Sequence, residues 1–306
     1  MKGRGPRRLC YTLPKANGRR VMALDLEHLQ KWIGNTEKAE EELELWPVTA
    51  MMAALDVPAE DLPKRGDTLP PTAHWNYFVP RVPQSKIDTD GHPQRGDFLP
   101  PIPLPRRMWA GSRIKYYKPL IIGEKVTKTS TVYDIKVKEG KSGSLAFVTV
   151  KHAYSNANGV ALEEEQDLVY RDNPPAATGV PERKPAPEGA VWSREIHPDT
   201  PLLFRYSAVT FNAHKIHYDY PYATEVEGYP ALIVHGQLIA TFLLDNWQRN
   251  NPNDTVTQFS FKAMSPLFCG ETFKAEGKPA ESGNEGELWA CTIKGGLTMQ
   301  ADVAWK

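Results

Sequence analysis

Apolar side chains at helical spacing mark one segment in the last third of the chain. The spacing of three or four residues is that of a helix with one buried face. The positions are Leu238, Ile239, Phe242, Leu243 and Trp247. His235-Gly236 comes just before them, and a glycine at a helix start leaves backbone N–H groups open to an anion. We therefore predict a buried helix that begins near Gly236.

Residues 113–171 have a different pattern, rich in Val, Thr, Ile and Tyr, with Gly and Asn between the runs. This composition is typical of β-strands joined by turns. The alternation in TSTVYDIKVK favours a strand with one buried face.

A short motif indicates an internal duplication. Pro-Leu-x-x-Gly-Glu occurs at 119–124 and again at 266–271, an offset of 147 residues. Strand-like runs follow both copies, as expected for a repeated unit. The first-half counterpart of the helix at 236–247 falls around 71–79, where we expect a short, proline-flanked helix and no acid/base cluster.

The first part of the chain reads as helical. Asp25 can cap a helix that ends at Gly34. A second, acidic helical run is expected from residue 36 to Leu55, broken at Pro47.

Composition shifts divide the chain into four parts. Residues 1–21 carry seven basic residues and no acid, and we expect a disordered or mis-assigned extension. A transit peptide is the alternative, which would change the expected location from the cytoplasm to the mitochondrial matrix. Residues 22–171 form a predicted non-catalytic, substrate-binding unit, and the Pro/Ala/Gly-rich stretch 172–192 is the linker to a catalytic unit at 193–306.

Charge and cysteine content restrict the function. Thirty-seven acids balance 37 bases, so no nucleic-acid or anionic membrane partner is expected. No apolar run approaches the roughly 20 residues of a membrane span. The three cysteines are scattered and are expected to be reduced thiols.

The candidate chemistry lies between residues 204 and 247. The cluster consists of Asn212, His214, His217, Asp219 and His235. Any one of these could be a structural or capping residue. Their convergence before a glycine-started helix favours an acid/base cluster beside an anion hole, which suits chemistry on a polarised carbonyl.

Metal binding is the rival reading of this cluster. His214 and His217 are three residues apart and would share a helical face. HExxH, CxxC and a nearby cysteine are all missing from the sequence, so we predict no metal.

The proline-rich stretch 57–112 is long for an irregular segment, and such segments are usually functional. Adjacent arginines can clamp a phosphate or carboxylate, although an ordinary solvated loop is an equal alternative. The polar residues concentrated there are Asp90, His92, Arg95, Arg106 and Arg107. We predict substrate contacts for the last four of these and for His235.

The block FNAHKIHYD (residues 211–219), followed by IVHG (233–236), resembles the MaoC-type or R-specific enoyl-CoA hydratase superfamily, whose pattern is D-x-N-P-x-H-x-D and then V-H-G. Asn212 stands where that pattern has its catalytic aspartate, and His214 where it has asparagine. In this departure, and in DGHPQRGDFLPPIPLPRRMWAG (90–111), the chain resembles type 2 hydroxyacyl-thioester dehydratases and itaconyl-CoA and mesaconyl-CoA hydratases.

The resemblance implies an α+β double hotdog fold, in which two antiparallel sheets each wrap a central helix. It implies reversible hydration of an α,β-unsaturated acyl thioester, with CoA or a carrier phosphopantetheine as part of the substrate, no other cofactor, and a possible homodimer.

Residue roles follow from the same resemblance. His217 would handle the water proton, and Asn212 would position the water. His214 would either take over the proton work of the family's aspartate or orient His217. Asp219 would fix a histidine tautomer or cap a turn, and the Gly236 N–H would bind the thioester oxygen.

Three alternatives stay open. A hotdog thioesterase would release free thiol. A dehydratase of acyl-carrier-protein thioesters would need a basic docking patch. A non-catalytic binding or scaffold protein is compatible with the missing aspartate.

Overall fold

The computed structural model describes residues 24–140, 143–172, 182–281 and 283–306. Within these ranges the chain forms the α-helices α1 (Leu26–Gln30), α2 (Leu45–Ala54), α3 (Thr200–Val209) and α4 (Gly236–Asn250). The strands are β1 (Thr36–Glu42), β2 (Arg106–Tyr116), β3 (Lys125–Gly140), β4 (Gly143–Asn156), β5 (Gly159–Arg171), β6 (Trp192–Ile196), β7 (Val256–Ala263), β8 (Phe273–Pro279), β9 (Glu285–Thr292) and β10 (Leu297–Trp305). The predicted extension at 1–21 and residues 173–181 of the predicted linker lie outside the described residues, and the proposed unit boundaries stay predictions.

All ten strands belong to one sheet with antiparallel pairing. Its order is β1-β3-β4-β5-β2-β7-β10-β9-β8-β6. Read outward from the middle, both halves place their five strands in the same order. The central pair joins β2 to β7, with Arg113 opposite Ser260. These two residues are 147 positions apart, which is also the offset of the duplicated motif.

Helix α4 packs against β6, β8, β9 and β10 of the second half. Its five predicted apolar side chains are at most 3% exposed, and it begins at Gly236 as the spacing predicts. Burial of an apolar side chain of this size stabilises the fold by roughly 1.5–3 kcal/mol. The helix start is therefore fixed by the core rather than by a side-chain cap.

Matching hydrogen bonds relate the segment before α4 to one in the first half. The N–H of Val234 donates to the carbonyl of Leu267 at 2.9 Å, and the N–H of Leu69 donates to that of Leu120 at 2.7 Å. Leu120 and Leu267 are the leucines of the two motif copies. Residues 67–69 therefore occupy the place of 232–234.

This register makes Pro70 and Pro71 the counterparts of His235 and Gly236. A 3₁₀ helix of four residues, Ala73–Asn76, follows the two prolines, close to where the short first-half helix is predicted. Proline has no N–H to offer, so the first-half counterpart of the glycine-started helix lacks those two donors.

The helical interpretation of residues 36–55 is wrong in its first part. Asp25 caps α1 as predicted, accepting the N–H of His28 at 3.0 Å. Thr36–Glu42 pairs with β3 instead of forming a helix, because sheet pairing outweighs the helix propensity of Glu, Lys and Ala. Its charged side chains suit a sheet edge. Pro47 lies inside the first turn of α2, where the missing N–H has no helical partner to lose.

Candidate active site

The His217 ring lies at the end of a 3₁₀ turn, Lys215–His217. Its Nδ1 is 2.8 Å from the carbonyl oxygen of Ile233. A carbonyl can only accept, so Nδ1 carries the proton and Nε2 keeps a free lone pair. Burial lowers the pKa of His217 to about 4, although the Ile233 hydrogen bond opposes the shift. The ring is therefore a neutral base of fixed tautomer at neutral pH.

His235 lies beneath His217. The ring centroids are 3.7 Å apart and the planes differ by 19°. Nε2 of His235 shares a 2.8 Å hydrogen bond with the hydroxyl of Ser207, and the Tyr206 ring is 4.7 Å away. The predicted contact of His235 with the substrate stays a prediction. The side chain is fully buried and stacks on His217, which favours a role in holding the His217 ring in place.

The His214 ring extends the group formed by His217 and His235. Its centroid is 5.5 Å from that of His217 and 4.1 Å from that of His92. Burial and the charge of His92 both lower the pKa of His214. Burial and the charge of Arg107 lower the pKa of His92, while its hydrogen bond to Asp90 raises it. These rings are therefore neutral at rest.

His92 comes from the proline-rich loop of the first half, and that loop lies directly on the second-half segment. The N–H of Lys215 donates to the carbonyl of Asp90 at 2.9 Å. A Cβ on Gly91 would be 1.8 Å from the carbonyl oxygen of Ala213. Gly91 also has φ +95°, so this close contact between the two halves requires glycine.

Asp90, His92 and His214 each offer a ligand atom, and the three atoms lie within 4.8 Å of one another. That spacing would admit a metal ion. The positive charge of Arg107 acts on both histidines and opposes a second cation there. The donor set fits a proton-handling group better than a metal site.

The start of α4 is open. Apart from its chain neighbours and its own helix backbone, a Cβ built on Gly236 would meet no atom of the described residues within 4 Å. No side chain caps the helix, and within the described residues the N–H groups of Gly236, Gln237 and Leu238 have no assigned acceptor. Unpaired N–H groups with the positive end of the helix dipole behind them form a site for negative charge.

Asn212 and Asp219 frame the histidine segment. The Oδ1 of Asn212 accepts the N–H of His214 at 3.0 Å, while its Nδ2 has no assigned partner within the described residues. Asp219 accepts the N–H of Tyr222 at 3.1 Å. Of the two roles predicted for Asp219, the structure favours the turn cap, because Ile233 fixes the tautomer of His217.

Two predicted substrate-binding arginines already have protein partners. Arg95 donates to the backbone carbonyls of Ile102, Leu104 and Pro105. Arg106 pairs with Glu227, with 3.0 Å between Nε and Oε2, and both side chains are buried. These contacts favour structural roles. Arg107 forms no ion pair among the described residues, and its charge reaches His92 and His214.

Two residues of the cluster have no role among the sequence predictions. One is Asp90, which belongs to the polar loop, and its Asp-x-His spacing is a local signal for the hydrogen bond to His92. Ser207 left no signal, because it meets His235 only through the packing of α3 against the start of α4.

No helix in the described part of the chain is both long enough and apolar enough to span a membrane.

Comparison with solved structures establishes the class of fold. A MaoC-like dehydratase superimposes with a TM-score of 0.66 at 14% sequence identity, over 90% of this chain and 99% of that one. A conserved protein of Mycobacterium tuberculosis with a double hotdog fold gives a TM-score of 0.56 at 13% identity, over 90% and 96%. The predicted α+β double hotdog fold is confirmed.

Sequence comparison then gives the family. Residues 72–269 match the hydroxyacyl-thioester dehydratase type 2 family. Mesaconyl-C(4)-CoA hydratase of Chloroflexus aurantiacus is 43% identical over 273 residues, which cover 89% of this chain and 96% of that protein. The chain belongs to the hydroxyacyl-thioester dehydratase type 2 family. The predicted family branch and enzyme class, a hydro-lyase, are confirmed.

Proposed function

We propose that this protein catalyses the reversible hydration of an α,β-unsaturated acyl-CoA that carries a second carboxylate, as mesaconyl-C(4)-CoA does. The observation that carries the proposal is the fixed neutral tautomer of His217 beside the open start of α4. The similarity to mesaconyl-C(4)-CoA hydratase extends over 89% of this chain and 96% of that protein, and it supports the choice of acyl group.

His217 is the proposed proton carrier. Its Nε2 takes a proton from water as the water oxygen bonds to Cβ of the substrate. The π electrons move to the thioester oxygen and give an enolate. The imidazolium then returns its proton to Cα, which restores the ring and completes addition of H and OH. A buried histidine of depressed pKa is a strong acid once protonated, so the return is favourable.

Gly236 is the proposed donor to the thioester oxygen. Charge collects on this oxygen in the transition state, and a preorganised donor of this kind contributes about 3 kcal/mol. The Nδ2 of Asn212 is the proposed donor that holds the attacking water. Water addition involves no net oxidation or reduction, so the proposal includes no cofactor beyond the CoA of the substrate.

Arg107 is the proposed ligand of the second carboxylate. It lies beside the histidine cluster and has no ion-pair partner among the described residues, unlike Arg106, whose partner is Glu227. Guanidinium groups bind carboxylates in bidentate geometry. A homodimer, a cytoplasmic location and a carrier-protein substrate stay predictions.

The test is to follow the enoyl-thioester absorbance of mesaconyl-C(4)-CoA and of crotonyl-CoA with purified protein, with thiol release measured in parallel. We expect loss of absorbance without thiol release, and faster loss with the dicarboxylic ester. Thiol release would identify a thioesterase. Equal rates on the two esters would remove the second carboxylate from the proposal.

Arg107→Met sharpens the assignment of the acyl group. This variant is expected to raise KM for mesaconyl-C(4)-CoA about ten-fold or more and to leave crotonyl-CoA kinetics nearly unchanged. An equal effect on both substrates would assign Arg107 to a feature that they share, such as the CoA phosphates.

A further inference from the structure

The histidine cluster contains a carboxylate that the proposed mechanism does not use. We infer that Asp90, acting through His92, positions His214 and supplies the active-site carboxylate that the wider family pattern has where this chain has Asn212. This inference rests on the proposed function.

Both oxygens of Asp90 are committed to His92. The backbone N–H of His92 donates to Oδ1 at 2.8 Å, and its ring Nδ1 lies 2.9 Å from Oδ2. Burial alone would raise the pKa of Asp90, but the hydrogen bonds from His92 bring it below the ordinary value. The ionised carboxylate can only accept, so the proton is on Nδ1 and the ring orientation of His92 is fixed.

The oriented His92 ring then lies against His214, with 4.1 Å between centroids and 41° between planes. His214 in turn meets His217 edge to face, with an interplanar angle of 88°. The side chains form a continuous row from Asp90 through His92 and His214 to His217. Asp90 and His92 are only 15% and 21% exposed, so solvent screens their charges weakly.

The proposed reaction gives this row of side chains an electrostatic role. A positive charge appears on His217 when it takes the water proton, and charge on His92 opposes it. Within the row, the charges of His92, His217 and Arg107 all oppose a positive charge on His214. Asn212 carries no charge, and Asp219 caps a turn. Asp90 is the carboxylate in contact with the row, and its attraction to His214 opposes the other charges acting on that ring.

The geometry is held independently of the ion pair. The Lys215 N–H to Asp90 carbonyl bond and the contact of Gly91 with Ala213 hold the loop on the site through the backbone. Asp90→Asn therefore removes charge without removing the backbone contacts. Asp88 is the matched control, because it is exposed on the same loop and, among the described residues, its side chain has hydrogen bonds with Thr89 alone.

The experiment compares wild type, Asp90→Asn, Asp88→Asn and the double variant Asp90→Asn/Asn212→Asp on mesaconyl-C(4)-CoA. We expect Asp90→Asn to lower kcat about 30-fold or more with KM within about three-fold. Asp88→Asn should match wild type, and thermal unfolding should be the same for all. The double variant should regain about ten-fold in kcat, because it returns a carboxylate to the family position.

Each contrary outcome has a distinct meaning. If wild type is active and Asp90→Asn is equally active, the inference is overturned while the proposed function stands. Loss of kcat without recovery in the double variant would make Asp90 a loop anchor and would also overturn it. A stoichiometric metal in the wild type that is missing from Asp90→Asn would make Asp90 a metal ligand instead. A wild type without hydratase activity would overturn both the inference and the proposed function.

Discussion

The imidazole of His217 stacks on that of His235 with 3.7 Å between the ring centroids. Two rings this close cannot both be protonated without strong repulsion. The pKa of His235 lies well below its ordinary value, chiefly through burial and then through the charge of His217. Burial thus keeps both stacked rings neutral until a proton arrives from the substrate side.

Replacement of His217 by glutamine should remove the proton carrier and retain a side chain that can donate to Ile233. We expect kcat to fall about 10³-fold, within the usual range for a general acid/base, with little change in KM. Steady-state kinetics on the CoA ester measures both constants, and near-wild-type turnover would remove His217 from the role.

Stability should fall on acidification. The pKa values of His217, His235, His214 and His92 are all lowered in the folded protein. Such a group takes up a proton on unfolding, so stability is highest above pH about 6.5 and falls as the pH decreases toward 4. For His217, the shift to about 4 corresponds to about 3 kcal/mol lost by pH 4.

Urea unfolding at several pH values between 7 and 4.5 tests this dependence. His217→Gln should flatten the dependence by the contribution of one histidine. The exposed His28 is the control, and its replacement by glutamine should leave the dependence as in wild type. A wild-type stability that stays constant over this range would contradict the prediction.

Gly236→Ala tests whether the space at the start of α4 is needed for catalysis, separately from its effect on protein stability. The new Cβ meets no atom of the other described parts of the chain within 4 Å, and alanine in place of glycine stabilises a helix by about 0.4–1 kcal/mol where the backbone permits it. The methyl group would, however, enter the space proposed for the thioester oxygen. We expect an unchanged or higher Tm together with a fall of about ten-fold or more in kcat/KM. Unchanged kcat/KM would place the oxygen elsewhere.

Arg106→Met should lower the free energy of unfolding. Removal of one partner from a buried ion pair leaves the other charge uncompensated, which destabilises by about 3–5 kcal/mol. Arg106→Met/Glu227→Gln should recover part of that loss in denaturant unfolding. The exposed pair of Arg65 and Glu42 is the control, and Arg65→Met should leave unfolding unaffected. A stable Arg106→Met with a raised KM would return Arg106 to substrate binding.

Gly91→Ala should separate the first-half loop from the histidine segment. Gly91 and Gly96 both have positive φ, but only the Cβ at 91 would clash with the backbone of Ala213, whereas the nearest atom at 96 is 3.9 Å away. We expect about a ten-fold or greater loss of kcat/KM for Gly91→Ala relative to Gly96→Ala. Equal effects would attribute the loss to backbone strain alone.

The sequence predicted what depends on periodicity and on local motifs. The helix at 236, the strands of 113–171 and the histidine segment all leave such patterns. Residues 36–42 were misread because their composition favours a helix while the pairing with β3 decides the structure. The pairing of Asp90 with the histidine row depends on a fold that brings residues over 120 positions apart together, and no local pattern reports such a contact.

The prolines at 70 and 71 have a consequence for the number of ligand molecules that one chain can bind. A protein built from two like halves would ordinarily have two equivalent binding sites, one at the start of each glycine-started helix. Here one of those sites lacks the backbone donors, so substitutions that keep Pro70 and Pro71 could not make it competent. Titration with a tight-binding enolate analogue should therefore saturate at one molecule per 306-residue chain, half the number expected of a symmetric pair of hotdog subunits.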